Sequence, residues 1–191
     1  MGSLFDPDLP PGFRYQREFI TTTDEASLVR EIAKVPFSTF EMRGVAARRR
    51  VAFFGSSYDA GSMPTAPMPD FLLPIRERLA AWCGIDAHAF EMALINEYPP
   101  GAPIGWHRDA PQYEDVAGLS LLSACRMKFR PYLPLARRGS PGLPKRRATH
   151  EIELEPRSAY LLSGESRQGF EHHIPAVTSL RYSITFRTLR H

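Results

Sequence analysis

The first regular pattern along the chain is helical. TTTDEASLVREIAKVPF, residues 21–37, sets Leu28, Val29 and Ile32 on one face. Thr22 and Glu25 stand at capping-box spacing and Pro36 supplies the stop. PDFLLPIRERLAAWCG, residues 69–84, brings Phe71, Ile75, Leu79 and Trp82 to one side, with Gly84 suited to the C-terminal cap. Two scaffold helices are predicted here.

From about residue 90 the period changes to two. EMALINEY, LSLLSACRMKFRPYL, THEIELEP, SAYLLSG and SLRYSITFRTLR all read as strands punctuated by Pro and Gly. The basic Gly/Pro stretch ARRGSPGLPKRRA (136–148) reads as a hairpin connection. Helices followed by a run of strands predict an α+β fold. Its expected core is a double-stranded β-helix, or jelly roll, with the N-terminal helices packed on one sheet and room for a ligand between the sheets. No internal repeat is present, and 191 residues suit one domain over residues 1–191.

Composition narrows the class only a little. The hydrophobic share of 43% and the charged share of 24% are those of a soluble globular protein. A net charge of +3 and a pI near 9.0 permit a nucleic-acid partner without demanding one. No apolar run approaches the roughly 20 residues of a membrane span. MGSLFDPDLPPG has neither a charged n-region nor an apolar h-region, so no leader is expected. Cys83 and Cys125 lie far apart with no CxxC and read as reduced core thiols of a cytoplasmic protein, which is expected to be a monomer.

Three stretches carry candidate chemistry, and each is weak alone. In INEYPPGAPIGWHRDA, a strand with Asn96 and Tyr98 on one face leads through a Pro/Gly loop to His107 and Asp109. An imidazole and a carboxylate two residues apart on extended backbone can bind one metal from one side. In FEHHIP, neighbouring His172 and His173 point to opposite faces, so one of them can join the same site. Two imidazoles and one carboxylate make the open facial triad of non-haem Fe(II) enzymes. On the residues alone, zinc and manganese stay open. In RYSITFR, Tyr182, Ile184 and Phe186 alternate with Arg181, Ser183, Thr185 and Arg187. Two arginines on one polar face are costly inside a protein unless paired with anions. Their heads, leaning together, suit a short dianion, or one anion and one metal-ligand carboxylate. An ordinary basic surface strand is the competing reading.

Taken in order, these stretches resemble the AlkB-like family of Fe(II)/2-oxoglutarate-dependent dioxygenases. The resemblance runs from about Leu9 to Arg190 and rests on N-x-Y…H-x-D, aromatic-x-H-x-I and R-x5-R. It implies iron held by His107, Asp109 and His172, with Phe170 and Ile174 marking His172 rather than His173. It implies 2-oxoglutarate contacts at Asn96, Tyr98, Arg181, Ser183 and Arg187, with Arg181 on the distal carboxylate. The implied reaction consumes O2 and 2-oxoglutarate, releases succinate and CO2, and hydroxylates a C–H bond. On an N-methyl group, collapse of the product releases formaldehyde.

The substrate implied first is alkylated DNA or RNA, repaired by demethylation. Arg48, Arg49 and Arg50, with Phe53, Phe54 and Tyr58, occupy the region where the family builds its substrate lid. Basic and aromatic residues there suit phosphates and bases. Trp106 and the run Lys145, Arg146, Arg147 are further candidates. Pro111 replaces the acidic residue that the founding member places two positions after its ligand aspartate. The alternatives are the same oxidation on a protein side chain or small molecule, and a non-enzymatic nucleic-acid-binding jelly roll.

Overall fold

The computed structural model describes residues 9–42, 45–56, 66–133 and 149–190. Eleven strands and three α-helices are seen among them. The larger sheet has seven strands. Its order is β1 (Phe13–Gln16), β9 (Ala159–Leu162), β6 (Tyr113–Leu121), β11 (Arg181–Leu189), β4 (Phe90–Tyr98), β3 (Val45–Gly55), β2 (Ser38–Met42). The smaller has four, in the order β5 (Ile104–His107), β10 (Phe170–Ile174), β7 (Cys125–Pro131), β8 (His150–Leu154). Every ladder is antiparallel. This is the double-stranded β-helix expected from the sequence.

Helices α1 (Thr22–Ile32) and α2 (Leu73–Cys83) cover the outer face of the large sheet. Leu28, Ile32, Ile75 and Leu79 meet Ile95, Leu119, Ile184 and Phe186 there in one apolar cluster. Each such side chain, fully buried, is worth about 1.5–3 kcal/mol. The two sheets enclose a second cluster, where Tyr98, Val116, Tyr160 and Leu162 face Cys125, Met127, Phe129 and Leu154.

Details differ from the sequence reading. The N-cap of α1 is Thr21, reciprocated by Asp24, one residue before the predicted box. The helix ends at Ile32, before Pro36 acts. A three-residue 3₁₀ turn, Asp70–Leu72, precedes α2, which closes on left-handed Gly84 as predicted (φ 75). LSLLSACRMKFRPYL divides into two strands at Leu122, whose φ of 71 turns the chain. Glu25 of α1 accepts the Leu122 amide at 2.8 Å and holds that turn. Strands also begin earlier than residue 90, since β1, β2 and β3 extend the large sheet at both edges. Residues 136–148 lie outside the described residues; the strands flanking them, β7 and β8, are paired antiparallel.

Candidate active site

Strand β11 is central in the large sheet and wholly buried from Arg181 to Thr188. Its alternation divides two environments, not core from solvent. Tyr182, Ile184 and Phe186 meet the helices, while Arg181, Ser183, Thr185 and Arg187 face the small sheet. The surface-strand reading is therefore overturned for both arginines.

Register places the partners in layers along this inner face. Ser183 stands beside Asn96 on β4 and Ser120 on β6, and Thr185 stands beside Gly118. Arg181 pairs with Tyr98, and its guanidinium lies 5.0 Å from the Tyr98 ring centroid. Arg181 Nε donates to Ser120 Oγ at 3.2 Å. Both Arg181 Nη atoms are buried with no hydrogen-bond partner, and the residue has no exposed surface. A buried guanidinium with two idle donors calls for an anion. A carboxylate fits that fork bidentately.

Arg187 is differently committed. Its Nη1 donates to Thr185 Oγ1 and its Nη2 to Asp109 Oδ1, each at 2.9 Å. Burial alone would raise the Asp109 carboxyl, but Arg187 first, then His172 and His107, hold it below the usual carboxylate range. It stays an anion, with one oxygen already braced.

The small sheet faces this layer with imidazoles. His107 ends β5 and is the direct ladder partner of His172 on β10, their ring centroids 4.2 Å apart. Burial first, then His107, push the His172 imidazolium down to about 3, so the ring is neutral at physiological pH. Burial likewise lowers His107. His107 Nδ1 lies 2.9 Å from the Gly105 carbonyl. A carbonyl only accepts, so Nδ1 carries the proton and Nε2 keeps its lone pair free for a metal. Among the described residues no three His, Cys, Asp or Glu side chains stand already gathered around one point. His107, Asp109 and His172 nonetheless converge electrostatically: Asp109 feels both imidazoles, and His172 feels His107 and Asp109. Two neutral imidazoles and one carboxylate are the donor set of a non-haem iron site.

His173 points the other way. Its ring lies 5.1 Å from the Trp106 ring at a tilt of 32°, and its Nδ1 donates to the Ile104 carbonyl at 2.9 Å. The Arg130 guanidinium covers the same Trp106 ring at 4.3 Å. Trp106, a predicted substrate residue, therefore lies on the outer face of the small sheet, opposite His107.

The arginine run is divided by strand alternation. Arg49 is buried on the inner face and donates to Asn96 Oδ1 at 2.8 Å. Arg50 faces the other way, paired with Glu97 at 2.7 Å. Arg48 is exposed, its Nη1 3.5 Å from the Gly101 carbonyl. Tyr58, Lys145, Arg146 and Arg147 lie outside the described residues. Pro111 is exposed, and Glu114 is taken by Arg190 at 2.6 Å and Gln168 at 2.9 Å.

Arg167 escaped the sequence reading. From the short helix α3 (Gly164–Gln168) its Nη2 donates to the carbonyls of Ala110 at 2.7 Å and Tyr113 at 2.8 Å. It thereby ties the loop that follows Asp109 to the segment that leads into His172. A side chain that binds backbone carbonyls leaves no periodic signal. Its position in GESR, five residues before His172, is the only hint.

The model of the 2OG-Fe(II) oxygenase superfamily matches residues 12–187. The chain belongs to that superfamily. Its cofactors are accordingly Fe(II), 2-oxoglutarate and O2, and it is an oxidoreductase of the dioxygenase class. It is similar to the Alkylated DNA repair protein ALKBH8 homolog of Arabidopsis thaliana, 29% identical over 191 residues. That match covers 91% of this chain but 54% of the relative, so the chain spans about half of that protein's length. It is also similar to the Probable RNA/DNA demethylase ALKBH6 of Danio rerio, 24% identical over 172 residues, covering 89% of this chain and 72% of the relative. The solved structure of OsALKBH1 shares the fold, with a TM-score of 0.65, 16% identity, and coverage of 94% of this chain and 99% of the other. The AlkB-like resemblance read from the motifs thus stands. Among the described residues no helix is long and apolar enough to cross a membrane.

Proposed function

We propose that this oxygenase oxidatively demethylates N-alkylated bases in DNA or RNA, releasing formaldehyde as well as succinate and CO2. In this reading His107, Asp109 and His172 hold Fe(II), which with 2-oxoglutarate and O2 supplies the oxidising power. Arg181 holds the distal carboxylate of 2-oxoglutarate, with Tyr98 beside it. Asn96 and Ser183 donate to the co-substrate from the floor. Arg187 keeps Asp109 ionised and oriented. The observation that carries the reading is the buried fork of Arg181, idle at both Nη atoms on the face opposite His172.

Nucleic acid enters through the likeness to an alkylated DNA repair protein homolog and a probable RNA/DNA demethylase, and through the basic balance of the chain. A cytoplasmic monomer acting alone on its substrate fits the free thiols of Cys83 and Cys125. One observation favours a second reading, the same oxidation of a protein side chain or small molecule. Of the residues predicted to contact bases or phosphates, Trp106 and Arg50 face away from the cleft.

The test supplies Fe(II), 2-oxoglutarate and O2 with single- and double-stranded oligonucleotides carrying N-methylated bases. Formaldehyde and succinate should appear together and vanish in His172→Ala. Succinate released without formaldehyde from any methylated oligonucleotide would reject nucleic acid in favour of the second reading.

A further inference from the structure

The floor between the two guanidinium groups is made by a side chain with no role so far. Tyr160 on β9 pairs with Gly118 on β6, and Gly118 pairs with Thr185 on β11. The phenol crosses the face of Gly118. A Cβ built there would stand 2.2 Å from Tyr160 Cζ and 2.5 Å from its hydroxyl oxygen. Glycine is required at 118 for this close approach rather than for a turn. Phe13 stacks on the Tyr160 ring at 6.3 Å, and Phe13 itself abuts Phe129 at 5.1 Å, so the ring is backed by packed aromatics.

The heads of the two arginines define a gap over this floor. Arg181 is held at Ser120 and Arg187 at Thr185, which is level with Gly118. Ser120 and Gly118 are one same-face step apart, about 6–7 Å along the strand. The Tyr160 ring crosses Gly118, at the Arg187 end of that step. Arg181, Tyr98, Asp109 and Arg187 are all within its electrostatic reach. A diacid gripped by Arg181 at one end and reaching at the other toward Asp109, which Arg187 holds, therefore rests on the phenol. One that is a methylene longer, held at the same two ends, must bow. Bowing one way meets Tyr160; bowing the other meets the small sheet, where Phe129 is wholly buried.

We propose that Tyr160 is the length gauge of the co-substrate cleft, admitting a five-carbon 2-oxo diacid and rejecting the six-carbon one. This rests on the 2-oxoglutarate reading above and assigns the residue that sets its selectivity.

The test uses the full chain loaded with Mn(II) and titrated calorimetrically with 2-oxoglutarate and with 2-oxoadipate. The native protein should prefer 2-oxoglutarate by about tenfold or more, the usual worth of one methylene in a fitted pocket. Tyr160→Leu should bring the ratio toward one, with 2-oxoadipate binding more tightly than it does to the native protein. Tyr160→Phe keeps the ring and should keep the native ratio. Tyr160→Met serves if the leucine variant does not fold. A side chain that merely filled the core would weaken both diacids alike; an unchanged ratio in Tyr160→Leu or Tyr160→Met would therefore overturn the proposal. Lost discrimination in Tyr160→Phe would do so too. A native protein that binds neither diacid rejects the 2-oxoglutarate reading itself, a result distinct from an unchanged ratio.

Discussion

His107 and His172 are direct partners across the β5–β10 ladder, with ring centroids 4.2 Å apart. The ladder itself brings two imidazoles to one point, while His173, one residue on, is sent to the far face against Trp106. His172→Ala should abolish turnover and Mn(II) binding. His173→Ala should retain most of both. Mn(II) titration followed by electron paramagnetic resonance separates the two, and equal losses in both variants would refute the assignment of His172.

Arg181 predicts a conflict between stability and function. Its two idle Nη donors leave a buried charge without an anion when no co-substrate is bound. Arg181→Met should stabilise the ligand-free protein by on the order of 1 kcal/mol and so raise its Tm. The same variant should lose the Tm increase that 2-oxoglutarate gives the native protein. Scanning fluorimetry with and without 2-oxoglutarate reads both. A variant that is destabilised yet still responds would contradict the carboxylate role.

Arg49 fixes the Asn96 amide. A guanidinium only donates, so Asn96 must offer Oδ1 to it at 2.8 Å and turn Nδ2 toward Ser183 Oγ, 3.5 Å away. Asn96 thus presents a donor to the cleft. Arg49→Met should weaken 2-oxoglutarate binding several-fold and leave Mn(II) affinity near native. Arg49→Lys should recover part of the loss. Calorimetry on the metal-loaded protein checks this.

Arg167 holds two carbonyls of the loop after Asp109. Arg167→Met strips two charge-assisted bonds, each worth about 1.5–3 kcal/mol. Metal affinity should fall about 10–100-fold, as it does when supports of metal ligands are removed. Addition of methylguanidine to Arg167→Ala should restore part of it. No recovery, with a native Mn(II) titration in Arg167→Met, would make the residue purely structural.

The cysteines give a pH prediction. Burial pushes the Cys83 thiol up to about 11 and also raises Cys125. For Cys83, a folded value above the unfolded one contributes stability that is complete below about 8.5 and is lost as pH rises toward 11. Native protein should consume almost no thiol reagent at pH 8, and urea-unfolded protein should consume two equivalents.

The strand alternation in RYSITFR and the spacing in FEHHIP were legible because period-two geometry allows one outcome for each residue. The outer face of β11 had to be apolar, and His172 and His173 had to part. What periodicity could not reveal was which side of a strand becomes the cleft. Arg48, Arg49 and Arg50 read as one basic cluster, but alternation takes Arg49 inside to Asn96 and Arg50 outside to Glu97. Trp106 shows the same limit, being next to His107 in sequence and on the opposite face of the sheet. Tyr160 and Gly118 left no trace, since their relation arises only when β9 and β6 pair. Arg167 acts on carbonyls, which are the same in every residue.

The two halves of the site come from different sheets. Arg181, Arg187, Asn96 and Tyr98 belong to the large one; His107 and His172 belong to the small one, with Asp109 just beyond its edge strand. Whatever occupies the cleft is therefore a rivet through both layers. Starved of co-substrate, the small sheet is held by its apolar filling and the Arg187–Asp109 bridge; supplied with it, the layers are fastened at both ends. Susceptibility to proteolysis would then follow the concentration of 2-oxoglutarate, and the enzyme's lifetime would report on its supply.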